Sequence, residues 1–290
     1  MAACQGGRLV VHFTNRKNAP FLFSTRTGTR PALRRMTSLT PDDVATYTAT
    51  RRAQSATNGT INRELEVLAR AFTLGRKLGL LSVTTWRVRD HHLTESAPRS
   101  GFFERAQFDA VLRHLTHTVA RDVPTGDDGT TVRRKVRVPA PDLRLACEIA
   151  YTYGWRMQSE ILTLERRHVA LDAADGMGTL CLDPGATKND DARVIVVTPA
   201  LRSTLQAHLA SLDASGIGTP YLFVHTEGPL RGQRIKDFTR AWRIACRTAK
   251  VPGRLRHDFR RTAVRGLVNA GVPERVAMEI TGHRTRSVFA

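Results

Sequence analysis

In the second half of the chain, the polar residues able to act on a substrate are nearly all cationic. Arg156 follows a glycine break and precedes Glu160 by four residues, while Lys188 sits in GATKNDD between two segments rich in β-branched residues. His257 and Arg260 stand at i and i+3 in HDFRRTA, and His283 follows Gly282 in ITGH. Residues three or four apart on a helix project from one side. Two arginines can grip a phosphodiester through forked hydrogen bonds and stabilise the added charge of a pentacoordinate transition state, a job lysine does less specifically. A lysine on a turn can protonate a leaving oxygen, and histidines can donate to phosphate oxygens or relay protons. No carboxylate cluster of the kind that holds a metal accompanies them. The chemistry this set suits is phosphoryl transfer run by cationic side chains alone.

Taken singly, each residue has an ordinary explanation. Arg156 and Glu160 make a helical ion pair, Lys188 a solvated turn lysine, His257 a helix-start residue and His283 an exposed helix end. Composition narrows the choice. The 290 residues carry 45 Lys and Arg against 26 Asp and Glu, a formal charge of +19, and 41% are hydrophobic against 24% charged. Such a chain folds, is long enough for two domains, and has a surface that seeks a polyanion or an acidic membrane face. No apolar run reaches the roughly 18 residues of a membrane span, and the first residues lack the apolar stretch of a signal peptide. Cys4, Cys147, Cys181 and Cys246 are scattered with no C-x-x-C pair, so neither a zinc site nor a disulfide framework is expected, and a reducing cytoplasm is the default setting. His114 and His117 lie three apart without a third ligand nearby, so no metal is expected there.

The elements that must position these residues fall into two domains. Residues 1 to 38 read as a mobile basic arm, with seven Lys and Arg and no acidic residue. At LTPDDVATY a helix is predicted, capped by Thr40, with Pro41 in its first turn and Asp42 and Asp43 beside its positive end. A second opens at TINRELEVLARAFTLGRKLGLL, where Ile61, Leu65, Leu68 and Phe72 recur at spacings of 4, 3 and 4. Its other side carries Arg63, Arg70, Arg76 and Lys77, so a helical domain over 39–95 has a basic outer face, with Arg63 and Arg70 as candidate DNA contacts. The polar stretch WRVRDHHLTESAPRSG reads as a linker to a second domain over 102–290.

In that second domain an amphipathic helix, GFFERAQFDAVLRHL, is followed by a polar insert at 116–139, and then by two helical runs broken at Gly154. TLCLDP and ARVIVVTP predict a β-hairpin with Lys188 in its turn. GQRIKDFTRAWRIACRTAK predicts a helix with Lys236, Arg240, Arg243 and Arg247 on one side, candidate phosphate contacts, and Phe238, Ala241, Trp242 and Ala245 on the other. Two further helices close at Gly271 and Gly282. The fold class is mostly α, an α+β arrangement with a small antiparallel sheet in the second domain.

Four stretches in order, YGWRMQSEILTL, TKNDDARVIVVTP, LRHDFRRTA and ITGH, resemble the Arg, Lys, His-x-x-Arg and His motifs of the tyrosine recombinases, or phage-integrase family. The resemblance covers the whole second domain, and the segment from Leu39 to about Asp90 is similar to the family's core-binding, SAM-like domain. It implies a DNA breaking-rejoining fold, double-stranded DNA as partner, tetramers on DNA, and no metal or other cofactor. By the same resemblance Arg156 and Arg260 would hold the scissile phosphate, Lys188 would be the general acid towards the departing 5′ oxygen, His257 and His283 would complete the phosphate shell, and Glu160 would support them. The family usually places the acidic residue three positions after the arginine, where this chain has four.

The family's nucleophile is a tyrosine that stores the bond as a 3′-phosphotyrosine, about nine residues past the histidine. Here that falls beyond Ala290, while Tyr47, Tyr151, Tyr153 and Tyr221 lie upstream in helical or strand-like contexts. Three readings follow: a recombinase whose tyrosine lies past this sequence and which is inactive as given, a DNA-binding module that occupies recombination sites without cutting, and a chain served by a partner's tyrosine. A type IB topoisomerase-like relaxer is a more distant enzyme alternative.

Overall fold

The computed structural model describes residues 4–5, 8–9, 13–15, 19–21, 36–79, 81, 86–97, 101–125, 130–171, 177–185 and 192–286. They divide into two units, Met1–Arg99 and Ser100–Ala290. Four short strands, β1 (Cys4–Gln5), β2 (Arg8–Leu9), β3 (Phe13–Asn15) and β4 (Ala19–Phe21), pair antiparallel in two ribbons. They fall in the stretch read as a basic arm, most of which lies outside the described residues. Among the described residues no helix is long and apolar enough to cross a membrane.

In the first unit, α1 (Pro41–Ala53) starts as its sequence dictates. The Asp43 N–H donates to Thr40 Oγ1 at 3.3 Å and the Thr40 N–H to the Asp43 carboxylate at 3.0 Å, a reciprocal cap. Then α2 (Asn58–Lys77) buries Ile61, Leu65, Leu68 and Phe72, the stripe read from spacing, in a core completed by Met36, Leu39, Val44 and Val88. Tyr47 and Arg51 of α1 both donate to Glu64 of α2, fixing the pair. Met36 is buried ahead of Leu39, and Asn62 holds Leu93 at both backbone groups, donating to its carbonyl and accepting from its N–H at 2.8 Å. Part of the apparent linker is therefore strapped to α2.

The second unit is built on α4 (Pro141–Tyr153), buried along most of its length and packed on α5 (Pro199–Ala214) and α7 (Asp258–Asn269). Rings from three neighbouring elements close one end of the core. Phe103, Phe108, Trp242 and Phe259 stack at centroid distances of 5.1 to 6.4 Å, joining α3 (Arg105–Arg113), α6 (Thr239–Thr248) and α7. A three-stranded antiparallel sheet of β7 (Val169–Ala170), β8 (Gly178–Leu182) and β9 (Arg193–Val197) turns Leu180, Leu182, Ile195 and Val197 inward, and α8 (Glu274–Thr281) follows α7.

Three local expectations are corrected. The polar insert is a regular hairpin, β5 (Thr116–Pro124) paired with β6 (Thr131–Pro139). Its alternating valines carried a strand period that the surrounding charges masked. Helix α6 begins only at Thr239, so Lys236 and Phe238 precede it: the Asp237 carboxylate takes the Thr239 N–H and hydroxyl at 3.0 and 2.8 Å, a local turn that competes with helix at that point. The run after Gly154 is a single π turn, Met157–Ile161. The predicted hairpin around Lys188 is present as β8 and β9, and Lys188 itself lies outside the described residues.

Candidate functional site

At its end α4 is closed by Gly154, whose φ of 69° is a left-handed cap that glycine adopts without strain. A Cβ there would stand 3.1 Å from Ala263 Cβ and 3.2 Å from Thr281 Cγ2, so the missing side chain also lets α7 and α8 close on this end. The chain leaves extended at Arg156 and then makes the wide turn, in which the Ile161 N–H donates to the Arg156 carbonyl at 3.1 Å and the Leu162 N–H to the Met157 carbonyl at 2.9 Å. Such i to i+5 bonding fits one more residue into a turn than an α-helix does. The fourth residue after Arg156 thereby returns beneath it. Glu160 accepts from Arg156 Nη1 at 2.5 Å and from the Arg156 N–H at 2.7 Å. The expected pairing is made, though not within an α-helix.

Glu160 is 0% exposed and has a second partner that motif spacing did not flag. Arg193, only 8% exposed, opens β9 on its inward side in line with Ile195 and Val197, and donates from Nη2 to Glu160 Oε1 at 2.6 Å. Its guanidinium lies over the Trp155 ring at 5.6 Å and against Gly282, where a Cβ would come within 2.6 Å of Arg193 Cζ. In the strand's period of two Arg193 shares a row with Ile195 and Val197, and a charge buried in such a row must be paired. Burial alone would raise the Glu160 carboxyl, but hydrogen bonds from Arg193 and the Arg156 N–H, with both charges, hold it below the usual carboxylate range.

Arg260, on the first turn of α7, is buried as well. Its Nη1 donates to the Gly154 carbonyl and its Nη2 to the Gly282 carbonyl, both at 3.0 Å, and its Nε donates to His283 Nε2 at 2.9 Å. Those carbonyls close α4 and α8, the negative ends of two helices. Because His283 Nε2 accepts, the ring is neutral with its proton on Nδ1, 2.7 Å from Thr281 Oγ1, whose own hydrogen goes to the Ala277 carbonyl. Burial and the charges of Arg260, Arg156 and Arg193 push His283 down to about 4. Burial, then the Arg156 charge, lowers Arg260 to about 10, so it stays protonated at neutral pH. His257, immediately before α7, is lowered by burial and by Arg260 and Arg261, with Arg156 adding to the effect.

The balance of charge in this cluster is uneven. Arg156, Arg193 and Arg260 bring three positive charges, Glu160 returns one, and both histidines are lowered towards neutrality, leaving about +2. Arg260 still has two of its five N–H groups outside the bonds described. The cluster carries an excess of positive charge that favours negatively charged groups. The described candidates Arg156, Glu160, His257, Arg260 and His283 thus share one site, joined by Arg193. Lys236, Arg240, Arg243 and Arg247 are exposed, as are Arg63 and Arg70 on α2 of the first unit.

The four tyrosines are occupied elsewhere. Tyr47 donates to Glu64, Tyr153 donates to the Val196 carbonyl, Tyr151 stacks on Phe108 at 4.2 Å, and Tyr221 lies under Arg234. His117 sits on β5 and pairs with Asp142, while His114 caps the end of α3.

A model of the phage integrase family matches residues 137–289, more than half of the chain and every residue of the cluster. The chain belongs to the phage integrase family. No curated protein matches it. Among solved structures this chain is similar to the Tn1549 transposon integrase in complex with transposon right end DNA, at 15% identity and a TM-score of 0.63 over 90% of this chain and 83% of that one. It is also similar to the XerH site-specific recombinase bound to palindromic difH substrate, at 14% and 0.60, covering 86% of this chain and 65% of that one. A third is a lambda integrase dimer bound to a COC′ core site, at 15% and 0.56, covering 87% and 79%. The chain thus spans just under two thirds of the XerH recombinase. What the three share with it is the fold: mostly helical with small antiparallel sheets, that of tyrosine recombinase catalytic domains. The family match begins within β6, so α3, β5 and the hairpin turn precede it.

Proposed function

We propose that this phage integrase is a site-specific DNA recombinase whose phosphate site is the cluster at the ends of α4 and α8. The observation that carries the reading is the uncompensated charge of about +2 around Arg156, Arg193 and Arg260, built by contacts that hold each guanidinium in place before substrate arrives. A scissile phosphodiester brings one negative charge and its pentacoordinate transition state a second, so the site is more complementary to the transition state than to the ground state. Arg156 and Arg260 hold the non-bridging oxygens, His257 completes the phosphate shell, His283 steadies the Arg260 guanidinium through Nε2, and Lys188 protonates the departing 5′ oxygen.

A tyrosine oxygen attacks phosphorus, the bond to the 5′ oxygen breaks, and a 3′-phosphotyrosine forms; the 5′ hydroxyl of a second strand reverses these steps to rejoin. One phosphodiester is exchanged for another, so the exchange requires no nucleotide. The attacking tyrosine is additional to the four in these residues. Exposed Arg63 and Arg70 of the helical unit over 39–95, acting as a core-binding domain, and Lys236, Arg240, Arg243 and Arg247 contact duplex phosphates. Several copies assemble on the DNA, in the cytoplasm.

The test is a denaturing gel of the chain, with and without an added Asp-Arg-Tyr ending, after incubation with a nicked duplex carrying the element's attachment site. Covalent attachment by the extended chain, reduced about 10²- to 10³-fold by Arg260→Ala, is expected. Binding without attachment would make the chain a DNA-occupying module, and no binding at all would sink the DNA reading.

A further inference from the structure

The β5–β6 hairpin has no part in the phosphate site and largely precedes the family match. We propose that it is a second DNA-binding element, a ribbon whose outer face follows the phosphate backbone of the duplex beyond the scissile position. The proposal rests on the DNA reading above.

Cross-strand register sorts the hairpin into two faces, because paired residues point the same way and alternate along the strand. His117 with Val138, Val119 with Val136, Arg121 with Arg134 and Val123 with Val132 share one face, and its valines other than Val132 are half-buried. On the other face Thr118 pairs with Arg137, Ala120 with Lys135 and Asp122 with Arg133, and all six are exposed. One acid therefore stands among three cations, at 3.6 Å from Arg133. Among the described residues Lys135 and Arg137 have no acidic partner.

Arg133, Lys135 and Arg137 are set about 6.8 Å apart along an extended strand. A straight row of this kind complements a line of charge, such as a nucleic-acid strand with one phosphate per 3.4 Å of rise, better than it complements a single small anion. The ribbon is also held firmly. His117 Nε2 meets both Asp142 oxygens at 2.7 and 2.9 Å at its base, and Arg121, whose opposition to Arg134 would otherwise be unfavourable, is bridged to Glu227 at 2.6 Å. Asp142 lies in the first turn of α4, and Arg156 follows the far end of that helix. Thirteen residues of helix span about 20 Å, so the base of the hairpin stands about that far from the phosphate site, equivalent to about six base pairs. Contacts made there fall on flanking duplex.

The experiment measures binding of the full chain to a random-sequence duplex over a salt series. Relative to wild type, Arg133→Gln/Lys135→Gln/Arg137→Gln is expected to flatten the slope of log K against log salt by about 2 to 3, at roughly 0.9 per lost phosphate contact. Arg133→Lys/Arg137→Lys, which keeps the charges, is expected to retain the slope. A triple variant with wild-type slope and affinity overturns the hairpin proposal alone, and so does equal loss in the lysine variant. A wild-type chain that binds no duplex at any salt overturns it together with the DNA reading. Amide exchange of the wild-type chain gives an answer independent of any variant's folding: slower exchange over 131–139 with duplex bound supports the ribbon, and unchanged exchange there overturns it.

Discussion

Arg193 of β9 and Arg137 of β6 are both strand arginines of the same unit, placed by the same two-residue alternation, yet one faces inward and the other water. Arg193 is ordered by a buried carboxylate, an indole face and the Gly282 backbone. Arg137 is ordered by none of these. A buried charge is costly to place and, once placed, is fixed and little affected by salt; an exposed one perturbs folding little and is screened within a Debye length of about 8 Å at physiological ionic strength. Under the DNA reading proposed above, the first kind serves where geometry must be exact to a bond length and the second where a long, uniform polyanion only has to be followed.

The sharpest way to break this contrast is to remove the shared carboxylate. Glu160→Gln leaves Arg156 and Arg193 without their anion, and a loss of about 3–5 kcal/mol is expected in urea unfolding of the chain. A change below about 1 kcal/mol would mean that the cluster is more hydrated than its burial indicates. Arg193→Met should lose less, about 2–3 kcal/mol, because Glu160 keeps Arg156. Gly154→Ala is expected to lose about 1–2 kcal/mol, for the left-handed φ alone, with the contacts to Ala263 and Thr281 adding to it.

Acid should act on the buried set and not on the exposed one. His283 is held neutral in the fold, so its contribution is fully present above the unfolded histidine value near 6.5 and is lost as pH falls towards about 4. Glu160, held low, follows: its contribution is present above the unfolded value near 4.3 and is lost as pH falls through its lowered folded value. A series of unfolding midpoints should therefore decline from pH 6.5 downward, and His283→Gln should flatten the first part of that decline. The smallest effect belongs to the exposed stripe. Arg240→Gln/Arg243→Gln/Arg247→Gln should shift stability by no more than about 0.5 kcal/mol while reducing the salt dependence of duplex binding. A larger loss of stability would show the stripe to be structural.

Much of this was legible because local rules and global fold agree. The Thr40 cap, the Ile61-Leu65-Leu68-Phe72 stripe and the glycine stops at Gly154, Gly271 and Gly282 each follow from backbone chemistry that needs no tertiary information. Arg156, Glu160, Arg260 and His283 were visible as motifs, but their convergence was not. It depends on how closely α7 and α8 approach the end of α4, which a missing Cβ at Gly154 permits and no spacing announces. Arg193 was missed because one arginine in a strand carries no motif, and its burial is a property of the packed sheet. The hairpin was missed for the opposite reason: its strand period was present, but most of its positions are exposed and charged, so polarity looked like irregularity.

The wide turn at Met157–Ile161 bears on how this chain can vary in length. A residue added inside an α-helix would rotate everything downstream by about 100° and carry Ile161, Leu162 and Leu164 out of the core. Here the surplus is absorbed within a single loop of backbone: Glu160 still meets Arg156, and those three aliphatics remain buried. The turn works as an expansion joint, taking up one residue of slack between two fixed points, so a change of reading length at this position is silent to the rest of the core.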